Sequence, residues 1–168
     1  MQFLTKFSSR ARANKRVAGK LYDIVIKQAL HIDLYQQGVA VDTFQGRFEQ
    51  LCLHAALMMR ALRERGQADI ANAFSQNVFA GFDHAHREKG AGDSSISRKV
   101  RKSGEQVYGL ARGLEQGMVA EDQQVLRAFI ERNGLANGYE DRLASYLRRV
   151  DKALRHSQAL ELIVWPDV

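Results

Sequence analysis

The sequence predicts an all-α single domain, a bundle of about six helices around one central buried helix spanning residues 42–66. Three observations carry that expectation. Apolar residues recur in long stretches at alternating steps of four and three, the period of a helix, and no long run alternates as a half-buried strand would. A single proline, Pro166, stands among 168 residues, so long helices run uninterrupted. The stretch from Leu51 to Met59, LCLHAALMM, has His54 as its only polar residue. A helix apolar all round must be wrapped by others, and about nine residues fall well short of the roughly 20 that cross a bilayer.

The chain opens on a basic segment. Lys6, Arg10, Arg12, Lys15, Arg16 and Lys20 lie in the first 20 residues with no acid among them. The other 19 Lys and Arg equal the 19 Asp and Glu, so the net charge of +6 belongs to the start of the chain and the body is neutral. This weakens a nucleic-acid reading of the whole domain, and DNA is not expected as a partner. Residues 1–16 are read as a basic flexible tail and 17–168 as the helical domain. Phe3, Leu4 and Phe7 sit among the cations but form no signal-peptide core. The tail is either solvated, or in contact with an anionic membrane surface or ribosomal RNA, or a cleaved presequence.

The first helix is expected from about Val17 to Ala29, with Val17, Leu21, Ile24, Val25 and Gln28 inward and Lys20, Asp23 and Lys27 outward. A linker with Tyr35 and Gly38 follows. In the central helix Asp42 is the expected N-cap with Gln45 completing a capping box, and Gly66 is the expected stop. Phe44, Phe48, Leu51, Ala55, Met58 and Leu62 form its seam. The next helix, about 67–89, buries Ile70, Phe74, Val78, Phe79 and Phe82. Gly90-Ala91-Gly92 breaks the chain without the spacing of a phosphate loop, and Asp93, Ser94 or Ser95 caps the helix after it.

That helix, from about Ile96 to Gln116, turns Ile96, Val100, Ser103, Val107, Leu110 and Leu114 inward. Arg98, Lys99, Arg101 and Lys102 crowd its N-terminus, where the helix dipole disfavours cations. Gly109 and Gly113 are expected to form a smooth strip for close packing of another helix. A shorter helix, 122–133, points Val125, Leu126, Phe129 and Ile130 inward, and the last, 139–156, uses Tyr139, Leu143, Tyr146, Leu147, Val150 and Leu154. The apolar end, with Ile163, Val164 and Trp165, is expected to dock on the core.

Catalytic patterns are not found. The single Cys52 lies in the most apolar run and reads as a small buried hydrophobe. Asp83, His84, His86 and Glu88 are the one cluster with metal-like chemistry. Residues two apart on a helix face opposite ways, and His84 with Glu88 makes only two ligands, so no metal or other cofactor is expected. Nucleophile elbows and dinucleotide fingerprints are missing as well. The chain reads as a protein that binds rather than transforms, and no enzyme activity is expected.

The ordered set of motifs resembles the ubiquinol–cytochrome c chaperone family. The matching stretches are LYDIVIKQA (21–29), Tyr35 with Gly38-Val39, DTxxGRFE (42–49), LxLH (51–54), RxLRxxG (60–66), FxxxD (79–83), RExGxGD (87–93) and KVRK through Tyr108-Gly109. Ala91, Ser103, Val107 and Leu110 depart from the usual family residues, which puts a partner surface in doubt there. The chain is also shorter than mitochondrial members and looks like a bacterial single-domain version.

The resemblance implies a non-enzymatic assembly factor that binds newly made cytochrome b during assembly of the ubiquinol–cytochrome c reductase complex. It would work in the cytoplasm or at the inner face of the inner membrane. Arg47, Glu49, Asp83, Arg87, Glu88, Asp93, Lys99, Lys102, Glu105 and Tyr108 are the candidate partner-binding residues, each with a plain alternative as a surface or inter-helix salt bridge. Two other classes stand beside this reading. One is a helical RNA- or ribosome-binding module using the tail and the Arg98–Lys102 patch. The other is an enzyme with a polar buried cavity.

Overall fold

The protein is described by a computed structural model. It describes residues 2–88, 93–120 and 122–168, with the side chains of 2–8 and 93–96 outside that description. Among the described residues seven α-helices follow in order: α1 Gln2–Ala29, α2 Ile32–Gln36, α3 Phe44–Glu64, α4 Ala68–Glu88, α5 Asp93–Val119, α6 Gln123–Arg132 and α7 Glu140–His156. A 3-10 turn, Leu160–Leu162, comes last, and no strand occurs among the described residues. Apart from α2, a short turn in the expected linker, these are the helices that the apolar seams outline.

The central element is α3. Cys52 to Met58 are all buried, and α1, α4, α5 and α7 pack around it. Arg10 of α1 meets Asp69 of α4, and Tyr22 further along meets Phe74, so these two helices run side by side in the same direction. Contacts of Glu49 with Gln106, and of Arg60 with Glu115, set α5 parallel to α3 in the same way. Gly113 and Gly117 let α6 lie close against α5: a Cβ at Gly113 would stand 2.2 Å from the Phe129 ring.

The structure corrects several expectations. The first helix begins at Gln2, not at Val17, so residues 2–16 are helical rather than a flexible tail. Arg, Ala and Lys are good helix formers, and no Gly or Pro interrupts them before Gly19. Thr43, not Asp42, caps α3; its hydroxyl accepts from the Gly46 N–H at 3.0 Å while Asp42 pairs with Arg47. Phe44 is 46% exposed, because the seam begins one turn later. Val125 and Tyr139 are also exposed, the latter beside Gly38. The Gly strip is displaced by one turn: Gly113 and Gly117 carry the helix contact, and Gly109 carries none. The expected break at 90–92, the caps at Asp93 to Ser95 and the inward Ile96 lie outside the described residues or side chains.

Gly66 ends α3 as expected. It takes a φ of 67°, and the Gln67 N–H returns to the Leu62 carbonyl. The C-terminal segment docks: Leu160 is buried, Ile163 and Trp165 pack on the core, and Val164 points outward, 85% exposed.

Candidate functional site

The candidate residues come from three helices, and their packing brings most of them to one end of the bundle. Glu49 in the second turn of α3 accepts from Gln45 at 2.7 Å and from Gln106 of α5 at 3.4 Å. The residue before Glu49, Phe48, begins an aromatic layer. Phe48 meets Phe82 at 4.9 Å between ring centres, Phe82 meets Phe79 at 5.9 Å, and Phe79 meets Tyr108 at 6.2 Å. The layer runs from α3 through α4 to α5, and Tyr108 is its open edge, 67% exposed. A bond of 2.8 Å between His86 Nε2 and the hydroxyl of Ser103 ties α4 to α5 beside it. Ser103 is therefore not a weak point of the seam but a buried polar link.

The other candidates divide by role. Asp83 holds Arg87 at 2.8 Å, and His84 meets Glu88 at 3.2 Å; both pairs lie along α4 on its surface. Glu105 meets Arg101 at 3.8 Å, with both side chains more than two-thirds exposed, which is too open to contribute much stability. Lys99 and Lys102 are exposed, with no ion pair among the described residues. Arg47 is turned the other way. It grips Asp42 at 2.8 Å and lies over the Tyr35 ring, 5.0 Å from its centre, so it braces α2 against the start of α3. The Tyr35 hydroxyl donates to the Ala29 carbonyl at 2.6 Å, and burial pushes its pKa up to about 12. The Asp93 side chain lies outside the described residues.

Sequence reading missed two buried polar clusters. One centres on His54, which is fully enclosed. Its Nδ1 bonds the Gln50 carbonyl at 2.7 Å, and a carbonyl only accepts, so Nδ1 carries the proton. Its Nε2 accepts from the Tyr146 hydroxyl at 2.8 Å, and the Tyr146 oxygen accepts from Gln28 at 2.8 Å. Burial lowers the His54 pKa to about 4 and raises that of Tyr146 to about 12. The other centres on Arg60, which sits among Glu64 at 3.0 Å, Asp151 at 3.2 Å and Glu115, while Arg155 clamps Asp151 at 2.9 Å. A polar residue alone in an apolar run was the signal for the first; the partners are far off in sequence.

The reactive groups are held inert. Burial drives the Cys52 thiol well above its ordinary pKa, so it is no thiolate at neutral pH. His54 is neutral with both ring nitrogens engaged. Among the described residues no three His, Cys, Asp or Glu side chains could share a metal ion. No described helix is long and apolar enough to cross a membrane. Clefts open at the surface among the described residues. One, of about 280 Å³, lies between α1 and α4 and is lined by Arg10, Asn14, Asp69 and Asn72. Another, of about 430 Å³, lies between α5 and α6 and is lined by Gly113, Gln116, Val125 and Phe129.

A model of the ubiquinol-cytochrome C chaperone family matches residues 36–164, from the end of α2 through the docked C-terminal segment. The chain belongs to the ubiquinol-cytochrome C chaperone family. Among solved structures it is similar to the crystal structure of the Cbp3 homolog from Brucella abortus. The two share 26% identity with a TM-score of 0.82, over 98% of this chain and 97% of that one. No curated protein matches the sequence. Membership carries a chaperone role, and the family match takes in every candidate residue from Arg47 to Tyr108. It also takes in α6 and α7, where no motif was legible. The solved homolog extends the likeness over α1, which the family match leaves out.

Proposed function

We propose that this chaperone-family chain is a non-enzymatic assembly factor that binds newly made cytochrome b during assembly of the ubiquinol–cytochrome c reductase complex. What carries the reading is the family match over residues 36–164, joined to a fold shared along nearly the whole chain with the Cbp3 homolog. The chemistry of the molecule is that of a binder. Its thiol and enclosed imidazole are locked away, while Tyr108 exposes the edge of an aromatic layer beside a rim of charged residues on α5. Such a rim suits a client that presents both apolar and charged segments.

The first helix adds a second contact. Arg12, Arg16, Lys20 and Lys27 all lie on its exposed side. This row faces an anionic surface, lipid or ribosomal RNA, and would hold the protein at the inner face of the membrane where its client inserts.

The test is recovery of cytochrome b with tagged full-length protein from the host's own membranes. Cytochrome b is expected with wild type. With Arg12→Gln, Arg16→Gln and Lys20→Gln combined, it is expected to remain bound while the protein shifts from the membrane fraction to the soluble one. Consistent failure to recover cytochrome b would sink the client assignment. Recovery of ribosomal RNA in its place, lost with the Arg98–Lys102 cations, would favour the RNA-binding reading.

A further inference from the structure

The outward side of α5 has a seam of its own. Arg98, Lys102, Glu105, Gly109, Arg112 and Gln116 repeat at steps of four and three, and all six are exposed. With Lys99 and Arg101 beside it, the seam and its flank hold five cations against one acid. Gly109 stands near the middle. A Cβ built on it meets nothing within 4 Å, whereas those on Gly104, Gly113 and Gly117 meet Phe79, Phe129 and Leu126. Glycine inside a helix costs stability relative to alanine, and no packing among the described residues requires it at this position. The far end of the seam, Gln116, lines the α5–α6 cleft, where Val125 is 43% exposed beside the Phe129 ring.

We propose that this seam is a docking track for one amphipathic helix of a partner protein, acidic where it crosses Arg98 to Lys102 and apolar where it enters the α5–α6 cleft. Three observations choose this occupant. The cations call for acidic side chains opposite them. The bare position at Gly109 lets a second helix backbone come close, as small residues do at helix crossings. The cleft, with Val125 and Phe129, calls for an apolar end. A phosphate chain would use the cations but has no use for either the missing side chain at Gly109 or the apolar cleft. The proposal rests on the client-binding function and gives the chemistry of the client segment.

The test uses synthetic helical peptides of about 20 residues, labelled for fluorescence anisotropy, with Glu along one half of a face, Ala at its middle and Leu along the other half. Two sequences, one the reverse of the other, cover both directions of docking. Wild-type protein should bind one of them, and a peptide with Lys in place of Glu should not bind. Gly109→Leu, which the open space around Gly109 accommodates without unfolding, should weaken binding about tenfold or more. Val125→Glu and the combined Arg98→Gln, Lys102→Gln and Arg112→Gln should each do the same. Circular dichroism confirms that each variant keeps its helix content.

Peptide binding unchanged by Gly109→Leu overturns the proposal. So does tighter binding of a poly-uridine oligonucleotide that is lost with the cations and indifferent to position 109. If the peptide result stands while cytochrome b is never recovered, the track is supported and the client assignment alone fails. If cytochrome b is recovered equally by wild type and Gly109→Leu, the track fails and the client assignment stands.

Discussion

The hydroxyl of Tyr146 lies 2.8 Å from Nε2 of His54, and through it α7 reaches the polar interior of α3. The same oxygen takes a bond from Gln28 of α1 at 2.8 Å, so three helices are held at one atom. Tyr146→Phe keeps the ring and removes that atom. His54 and Gln28 each lose a buried partner, and each such loss costs about 1–3 kcal/mol. We expect a loss of roughly 3 kcal/mol in urea unfolding, with the fold retained.

His54 also sets a pH dependence. Its pKa is lowered by burial to about 4 in the folded protein, against an ordinary value of 6.5. Between those values the unfolded chain takes up a proton that the folded one refuses. Stability is therefore full above about pH 7 and falls as the pH drops from 6.5 towards 4, by roughly 3 kcal/mol at the lower limit. Unfolding midpoints measured across that range should lose this component in His54→Gln. An unchanged slope would show that another group carries it.

Thr43 and Asp42 separate the cap from its neighbour. Thr43→Ala leaves the Gly46 N–H without its acceptor and should cost about 1 kcal/mol. Asp42→Ala breaks an exposed pair with Arg47, which solvent screens, so it should cost less. Thermal unfolding of the two single variants decides the order, and the reverse order would place the cap at Asp42.

Gly113 should tolerate no side chain. A Cβ there stands 2.2 Å from Phe129, so Gly113→Ala must push α6 away and should destabilise by about 1–3 kcal/mol. Gly109→Ala meets nothing and should stabilise by up to about 1 kcal/mol. Chemical denaturation of the two variants measures the difference, and equal effects would contradict the packing of α6 on α5.

Local pattern made most of the helices legible. The seams of α3, α4 and α7 give their inward residues almost unaided, because core burial follows the helical period. The start of α1 was misread because its dense positive charge resembles a solvated tail, although its residues are good helix formers. Of the candidate residues, Glu49 links α3 to Gln106 of α5 and Tyr108 forms the edge of the aromatic layer, whereas Arg47 belongs to a brace against Tyr35. Which side a charged residue faces depends on helices distant in sequence. For the same reason Arg60 hid its role: its partners at 115 and 151 are set by tertiary packing alone.

Arg148 of α7 donates to the carbonyls of Gly117 and Ala120 at the end of α5, both at 3.1 Å, and Arg65, just past α3, donates to those of Leu154 and Ser157 at the end of α7. These helix ends are finished from outside, by residues far away in the chain. During synthesis α5 emerges before the arginine that completes it, and His54 emerges before its hydroxyl. These polar groups are therefore left to water until α7 is available to pack against them. The surfaces that α3 and α5 present take their final form only after α7 has been made.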